Sequence, residues 1–549
     1  MAVAPIPGMG KGGGGGGGGG GGKQNQDTEP LHHPIHEQLP GLRYCINDDP
    51  VWPETIILGF QHYLALLFPV VFITSTLVPQ MGGDNGDRAR VIQTILFVSG
   101  INTLIQTFLG TRLPVVSGVS VAYLIPTLTI INSSRLSSIV DPKERFERTM
   151  REIQGALIAG SSLQVILGFS GLWGIVTRFF SPVSIAPTVA MLALGLYGYG
   201  FAQVAKCVEI GLPAVVVILL FSQYLKHLRI KVGQHFHVFE LFPVVLGLGV
   251  VWGYAHILTV SGAYRHASLL GQQHCRTDRN GLVSQAPWIK VPYPLQWGAP
   301  TFEAGHAFGV MAGVVASLVE STAGYYAVSR LAGATPPPPH VVTRGIGWQG
   351  IGILLAGMFG TATGVSISPE NIGLIGITRV GSRRVIQVAG LWMIFFGLFG
   401  KFGAIFASIP LPMLAAVLCI VLGIVAAAGI SILQFTNINL TRNLFIVGTA
   451  LFLGLSVPQY FNEFTLKAGH GPVHTGAHWF NDLFNVILSS HPIIALTVAG
   501  VLDNTIEAGI SHRDRGMHWW SRFHKFQGDS RNEEFYRLPW NLHKFFPPT

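Results

Sequence analysis

The stretch Pro369-Glu370-Asn371-Ile372-Gly373, continuing to Thr378-Arg379, sets a carboxylate, an amide and a guanidinium among long apolar segments. At the centre of a bilayer, a charged side chain costs about 2.5–3.5 kcal/mol on insertion scales, so such groups usually serve a substrate or an ion. This stretch therefore predicts a membrane protein with a polar site inside the bilayer.

The composition supports a polytopic membrane protein. Only 11% of the 549 residues are charged, against about 25% in an average soluble domain, and 49% are apolar. The net charge of the chain is +9, and seven of its 35 Lys and Arg follow residue 508. A basic tail beside anionic lipid explains this pattern, and no nucleic-acid partner is expected.

Segmentation by runs of roughly 20 apolar residues predicts an all-α protein with about fourteen spans. The first seven are predicted at 54–79, 90–110, 113–131, 152–176, 183–203, 206–225 and 239–261. After a hydrophilic stretch, the others are predicted at 305–333, 345–365, 371–380, 384–407, 410–432, 442–460 and 490–507.

Two segments, 113–131 and 366–380, are short and broken by Gly, Pro or polar residues, and each is third in its set of seven. Paired interrupted segments at matching places mark the binding sites of many transporters. We therefore predict a seven-plus-seven inverted repeat with a divided site.

The distribution of basic residues predicts that both termini are cytoplasmic. The inner segments hold 21 Lys and Arg and the outer loops hold 14. Residues 1–50, with eleven consecutive glycines at 12–22, are predicted to be a disordered tail, and residues 508–549 a second tail. A histidine-rich cluster in the first tail has no cysteine partner, and the four cysteines of the chain predict neither a disulfide nor a metal site.

Glu320 lies near the middle of the first span of the second half, with no basic residue near it in sequence. It could be a protonated carboxyl that ties helices together. It could equally face a polar cavity, accept N–H groups from a ligand and take up a proton.

Other polar residues could complete the site. Gln61-His62 occupies the corresponding span of the first half, either as a tie between helices or as support for the pocket. Ser117-Gly118-Val119-Ser120 and Glu370-Asn371-Ile372-Gly373 bring hydroxyl, amide, carboxylate and backbone N–H groups. These groups suit the alternating edge of a flat heterocycle better than an inorganic anion.

These residues resemble the nucleobase-ascorbate transporter family, also called nucleobase-cation symporters of the xanthine and uracil permease type. The family signature is matched by Glu370, Asn371, Gly373, Thr378 and Arg379. The resemblance extends from about residue 40 to the end, and the closing run from Glu533 to Pro548 is similar to plant members.

The resemblance implies a substrate-carrying core domain at 54–180 and 305–408, and a gate and dimerisation domain at 182–262 and 410–507. The core would move against the gate in an elevator-like cycle of a homodimer. Substrate-binding positions carried over from the family are Glu320, Glu370, Asn371, Ser120, Val121, Gln61, His62 and Gly373. Glu320, Thr378 and Arg379 are assigned to coupling and gating.

Two departures from the family pattern concern the pocket. Val121 stands where the family usually has an aromatic residue that contacts the substrate, and Pro369 before Glu370 is unusual among plant-like members. Ascorbate-transporting relatives have Pro at the position of Glu370, so the glutamate favours nucleobases.

The expected function is therefore import of xanthine, uric acid, uracil, adenine or guanine with protons, across the plasma membrane. The open alternatives are an ascorbate carrier, an anion carrier of the sulfate or bicarbonate class, and a receptor or scaffold that binds without transport. No nucleophile, metal or phosphate-binding motif is present, so we expect neither an enzyme nor a cofactor.

Overall fold

The computed structural model describes residues 41–228, 230–232, 234–236, 238–278, 282–468, 470–506, 514–521 and 530–546. The first half contains the helices α1 (Trp52–Met81), α2 (Asn85–Phe108), α3 (Leu124–Ile131), α4 (Ser134–Ser137), α5 (Pro142–Phe169), α6 (Leu172–Thr177), α7 (Pro182–Leu194), α8 (Phe201–Val204), α9 (Val208–Leu219), α10 (Val238–Leu241), α11 (Pro243–Val260), α12 (Leu269–Cys275) and α13 (Leu282–Gln285).

The second half contains α14 (Ala304–Leu331), α15 (Pro339–Phe359), α16 (Pro369–Thr378), α17 (Arg383–Leu398), α18 (Gly400–Ala407), α19 (Leu411–Ser431), α20 (Thr441–Ala468), α21 (His478–Leu488), α22 (His491–Thr505), α23 (Met517–Trp520) and α24 (Ser530–Tyr536). The described ranges also contain four short strands, namely β1 (Ser117–Val119), β2 (Ile230–Val232), β3 (Gln234–Phe236) and β4 (Val365–Ile367).

The local sequence explains where several helices begin. Asp84 and Ser181 cap α2 and α7 in reciprocal capping boxes, and Asp141 accepts hydrogen bonds from two backbone N–H groups at the start of α5. Helix α1 ends at Gly82, whose φ of +93° is in the left-handed region that favours glycine.

Each predicted span overlaps a helix, and the prediction of an all-α polytopic membrane protein is confirmed. Among the described residues, nine helices are long and apolar enough to cross a membrane, or ten if the bent pair α21 and α22 forms one span. The number is below fourteen partly because one of the nine, the 43-residue stretch Pro182–Tyr224, contains both α7 and α9. In addition, the interrupted segments and the α17–α18 pair are too short to count. A total of fourteen crossings stays a prediction.

The long helices pack in two sets. The first helix group consists of α1, α2, α5, α14, α15 and α17, and the second helix group consists of α7, α9, α11, α19, α20 and α22. Helix α16 packs against both α14 and α19 and so lies where the two groups meet.

The two interrupted segments cross each other through a short antiparallel ladder. Ser117 pairs with Ile367, Gly118 with Ser366 and Val119 with Val365. Ser368 N extends the ladder by donating to Val116 O at 3.0 Å. Extended backbone inside a membrane needs such internal pairing, because lipid offers no hydrogen bonds.

A buried charge network holds the second helix group together. Asp503 in α22 is fully buried and accepts hydrogen bonds from Ser181 Oγ at 2.7 Å, Arg442 Nη1 at 3.0 Å and Arg515 Nη2 at 2.7 Å. The network joins the start of α7 to α20, α22 and the segment that follows α22.

A disulfide joins Cys207, immediately before α9, to Cys275 at the end of α12. The prediction that the cysteines form no disulfide is therefore wrong. Cys207 falls within the predicted span 206–225, but it lies at the end of that span and meets the hydrophilic stretch that carries Cys275.

Parts of both predicted tails pack on the helices. Residues 1–40, including the glycine tract and the histidine cluster, lie outside the described residues. Residues 43–46 bind residues 379–383, as in the bonds from Arg43 N to Arg379 O at 2.9 Å and from Gly381 N to Tyr44 O at 2.8 Å. In the C-terminal segment, Phe535 and Tyr536 are almost completely buried.

Candidate functional site

The candidate site lies where β1 and β4 cross beside α14. After β1, the chain turns at Ser120 into a short 3-10 helix, Val121–Tyr123, and after β4 it enters α16. Two helical starts therefore stand next to a carboxylate-bearing helix, and each start offers free backbone N–H groups.

Ser120 and Glu320 are in direct contact. Ser120 Oγ donates to Glu320 Oε2 at 2.9 Å and accepts a hydrogen bond from Ala122 N at 3.1 Å. The hydroxyl is thereby oriented by the cap it makes, and it fixes the carboxylate of Glu320. Glu320 is partly exposed, so it can meet a ligand.

Glu370 lies in the first turn of α16 and is 4% exposed. At this position the side chain lies beside the free backbone N–H groups of a helix N-terminus. Its Oε1 atom is buried and has no hydrogen-bond partner in the part of the chain that the structure describes. A buried acceptor of this kind calls for a donor, which a ligand could provide.

Asn371 connects the site to α1. Its Nδ2 donates to Ser368 Oγ at 2.8 Å, and its Oδ1 lies 2.8 Å from His62 Nδ1. With the amide assigned in this way, His62 Nδ1 is the donor and its Nε2 is an acceptor. The Nε2 atom is buried and is unpaired within the described residues. Asn371 and His62 therefore brace the start of α16.

Gln61, next to His62 in sequence, binds a different part of the structure. Its Oε1 accepts hydrogen bonds from Val244 N and Val245 N, both at 3.1 Å, and its Nε2 donates to Leu241 O at 3.1 Å. These bonds cap the start of α11 and connect α1 with the second helix group. Gln61 therefore does not take part in the contact between His62 and Asn371.

Gly373 and Val121 are the two remaining predicted site positions near the start of these helical segments. A Cβ atom at Gly373 would stand only 2.0 Å from Val421 O, so the glycine allows α16 to approach α19. Val121 directly follows Ser120 and is partly exposed.

Thr378 and Arg379 are at the far end of α16 from Glu370. Thr378 Oγ1 donates to Leu374 O at 2.9 Å, inside the same helix. Arg379 has a φ of +57°, ends the helix and accepts the backbone hydrogen bond from Arg43. The structure does not bring these two residues together with the carboxylates.

Four further polar residues contact the crossing strands or the short 3-10 helix that follows β1. Ser321 Oγ accepts from Ile367 N at 3.1 Å, and Thr103 Oγ1 accepts from Ser117 N at 3.0 Å. The other two contacts are Gln349 Nε2 to Val365 O at 2.9 Å and Ser317 Oγ to Tyr123 Oη at 2.8 Å. Sequence reasoning missed these residues. A signal existed for two of them, because residues 317, 320 and 321 share one helix face.

A second polar cluster is distant in sequence from these contacts. Glu152, Glu303 and His306 bring potential ligand atoms within 4.8 Å of one another. His306 Nδ1 is 2.6 Å from Glu152 Oε1, and the guanidinium of Arg135 pairs with the other oxygen of Glu152. We interpret the cluster as an ion-pair network, because an arginine already neutralises its central carboxylate.

The sequence comparisons agree with the fold. A model described as a permease family matches residues 53–463. Nucleobase-ascorbate transporter 2 of Arabidopsis thaliana is 57% identical over 521 residues, which covers 95% of this chain and 99% of the relative. Nucleobase-ascorbate transporter 6 of the same plant is 56% identical, with coverage of 94% and 97%.

Together, the helical fold and the permease match define a multi-pass membrane transporter. Within that class, the chain belongs to the nucleobase-ascorbate transporter family. The predicted resemblance to plant members is confirmed, as is the prediction that the chain is a transporter and not an enzyme. A structure of the murine anion transporter Slc26a9 aligns over 79% of this chain with 12% identity and a TM-score of 0.47, a similarity that says nothing about the substrate.

Proposed function

We propose that this transporter imports nucleobases, namely xanthine, uric acid, uracil, adenine or guanine, together with protons. The observation that carries the proposal is the buried, unpaired Oε1 atom of Glu370 beside the crossing point that also holds Ser120 and Glu320. Nucleobases have N–H donors at their ring edges, and carboxylates are strong acceptors for such donors.

The substrate would bind between the two halves of the divided site. Glu320 and Glu370 would accept N–H groups of the base, while the backbone after Ser120 would donate to a ring carbonyl. Val121 would contact the face of the ring. Asn371 and His62 would keep α16 in position, and Gly373 would let it lie against α19.

Ascorbate is the second candidate, because the relatives carry both substrates in their names. Ascorbate is an anion at neutral pH, and two carboxylates in one site would repel it. The pair therefore favours bases that are neutral at that pH, such as uracil, adenine and guanine, and the same repulsion would weaken the binding of urate, which is also an anion.

Proton coupling is proposed to involve the same two residues. A carboxylate that crosses a membrane unpaired is costly, and a proton removes its charge. Glu320 is the proposed proton-binding group because it is partly exposed. Thr378 and Arg379, at the end of α16, are proposed to take part in gating.

The first helix group would be the moving core and the second helix group the gate that forms a homodimer. Apolar side chains exposed on α9, α11 and α20 of the second group offer a surface for lipid or a partner subunit, for example Val216, Tyr254 and Phe452. We further propose that the protein resides in the plasma membrane with both termini in the cytoplasm. The disulfide supports this orientation, because Cys207 and Cys275 both fall on the predicted outer side, where disulfides persist.

Uptake of labelled bases in a host without its own base transport tests the proposal. We expect saturable uptake by the parent, and a protonophore should abolish it. Sodium should not substitute for protons as the coupling ion, and excess ascorbate should not inhibit the uptake. Glu320→Gln and Glu370→Ala should lose uptake at equal surface amounts. Glu463→Gln, a matched change at a solvent-exposed glutamate of α20, should not.

Three results would contradict parts of this proposal. Undiminished transport by both site variants would refute the assignment of the site. Ascorbate uptake that xanthine does not inhibit would favour the second candidate. Binding of a base without flux would identify a receptor.

A further inference from the structure

The C-terminal segment is built into the surface that holds the ends of both interrupted segments. Asn532, Phe535, Tyr536 and Leu538 are each at most 3% exposed. Burial raises the pKa of the Tyr536 phenol, which therefore stays protonated and donates to Thr335 O. Thr335 Oγ1 in turn donates to Asn532 Oδ1 at 2.5 Å.

Three arginines receive this segment, and we name them the arginine clamp: Arg112, Arg344 and Arg383. Arg344 Nη2 donates to Tyr536 O at 3.1 Å, and Arg383 Nη2 donates to Phe535 O at 3.0 Å. Arg112 Nη1 donates to the next carbonyl, that of residue 537. Three consecutive carbonyls of the C-terminal segment thus each accept from a different guanidinium.

The same arginines hold the chain that leads into β1. Arg344 Nε donates to Gly110 O at 2.7 Å, and Arg383 Nε donates to Arg112 O at 2.6 Å. Arg112 itself has a φ of +61°, an unusual conformation for a residue with a side chain. This strained turn comes five residues before β1 begins.

The clamp also connects the two halves of the candidate site. Arg112 precedes the first interrupted segment, while Arg383 is the first residue of α17 and follows the second. The bond from Arg383 to Arg112 O therefore ties the entry of β1 to the exit of α16. Ser120 and Glu370 lie on the elements between these ties.

The charges of the clamp make it dependent on the C-terminal carbonyls. In the described ranges, none of the three guanidinium groups pairs with a carboxylate within 4.0 Å, and Arg344 is 2% exposed. Like charges repel strongly where water is excluded. The carbonyl dipoles of residues 535–537 offset this repulsion and accept from one nitrogen of each arginine, whereas Arg112 Nε is buried and unpaired within the described residues.

We propose that residues 535–537 are positioning residues for the substrate site, acting through the arginine clamp on the entry of β1 and the exit of α16. This inference rests on the proposed function, because its consequence is a change in substrate affinity. The C-terminal segment would touch no substrate. Its loss would loosen the strand crossing and so displace Ser120 and Glu370 from the base.

The test compares two truncated proteins. For each, the KM and Vmax of base uptake are measured, with Vmax expressed per transporter molecule at the cell surface. Removing residues 530–549 deletes the three carbonyls and should raise KM about tenfold with little change in Vmax. Removing residues 541–549 leaves the docked residues in place and should keep the parent KM. A synthetic peptide of residues 530–540, added to the cytoplasmic face of vesicles, should restore the KM of the longer truncation.

A double-mutant cycle adds a readout that general loss of stability would not reproduce. Arg383→Gln should raise KM in the full chain and have a smaller effect in the longer truncation, because one of its two partners, Phe535 O, is already absent there while Arg112 O remains. If the longer truncation fails to reach the membrane, Tyr536→Phe in the full chain tests the positioning role instead. We expect this variant to raise KM two- to threefold.

The outcomes separate this inference from the proposed function. A KM within twofold of the parent in the longer truncation, or in Tyr536→Phe where that truncation is absent from the membrane, overturns the positioning role. Failure of the parent itself to take up any base overturns the proposed function instead.

Discussion

Replacing Ser120 by alanine tests the contact between the two halves of the site. The change removes the hydroxyl that donates to Glu320 Oε2 at 2.9 Å and that caps the following turn through Ala122 N. A hydrogen bond to a charged group contributes about 1.5–3 kcal/mol, and an N-cap about 1 kcal/mol.

Only part of this energy should appear as lost substrate affinity. Glu320 is partly exposed, so water can replace some of the lost bond. We therefore expect Ser120→Ala to weaken binding by about 1–2 kcal/mol, which corresponds to a rise of roughly five- to thirtyfold in KM. Uptake kinetics of the variant and the parent at equal surface amounts would measure this rise in KM.

Two companion variants make the result specific. Ser120→Thr keeps a hydroxyl and should retain most of the affinity. Ser261→Ala removes a hydroxyl that bonds only within its own turn at the end of α11 and should have no effect. A KM within twofold of the parent for Ser120→Ala, or equal impairment of the alanine and threonine variants, would refute the reasoning.

Three other predictions concern the frame around the site. Asp503→Ala leaves its buried arginine partner uncompensated and should destabilise the fold by about 3–5 kcal/mol; an unchanged melting temperature in detergent would contradict this. Cys207→Ser should leave Cys275 open to alkylation without prior reduction and lower stability by about 2–5 kcal/mol; a parent protein that is alkylated equally at both cysteines would argue against the disulfide. Gly373→Ala should clash with the nearby α19 carbonyl and lower the transport rate. Gly423→Ala should not, because no atom lies within 4 Å of the added Cβ. Equal transport rates of the two variants would show that the close approach of α16 to α19 is unnecessary.

The sequence predicted the interrupted segments because their signals are local. Gly118, Ser120 and Glu370 break apolar runs, and such breaks in a membrane segment indicate either a kink in a helix or a functional site. The contact between Ser120 and Glu320 agrees with the expected divided site. The register of β1 against β4 was beyond prediction, since three-residue strands carry no pattern of their own.

Long-range contacts account for what was missed. Gln61 and His62 are adjacent in sequence, yet one caps α11 and the other braces α16, because successive helix residues face different directions. The bond between Cys207 and Cys275 depends on how a hydrophilic stretch folds back over a helix end. The arginine clamp binds main-chain carbonyls, which have no signature in the amino-acid sequence.

Titration calorimetry of the purified protein with xanthine measures whether Glu320 and Glu370 hold a nucleobase. We expect saturable binding by the parent and by Glu463→Gln. Glu370→Gln should bind at least about tenfold more weakly, because the acceptor loses its charge. Equal affinity in Glu370→Gln and the parent, or no binding of any base by the parent, would show that these carboxylates do not hold a nucleobase.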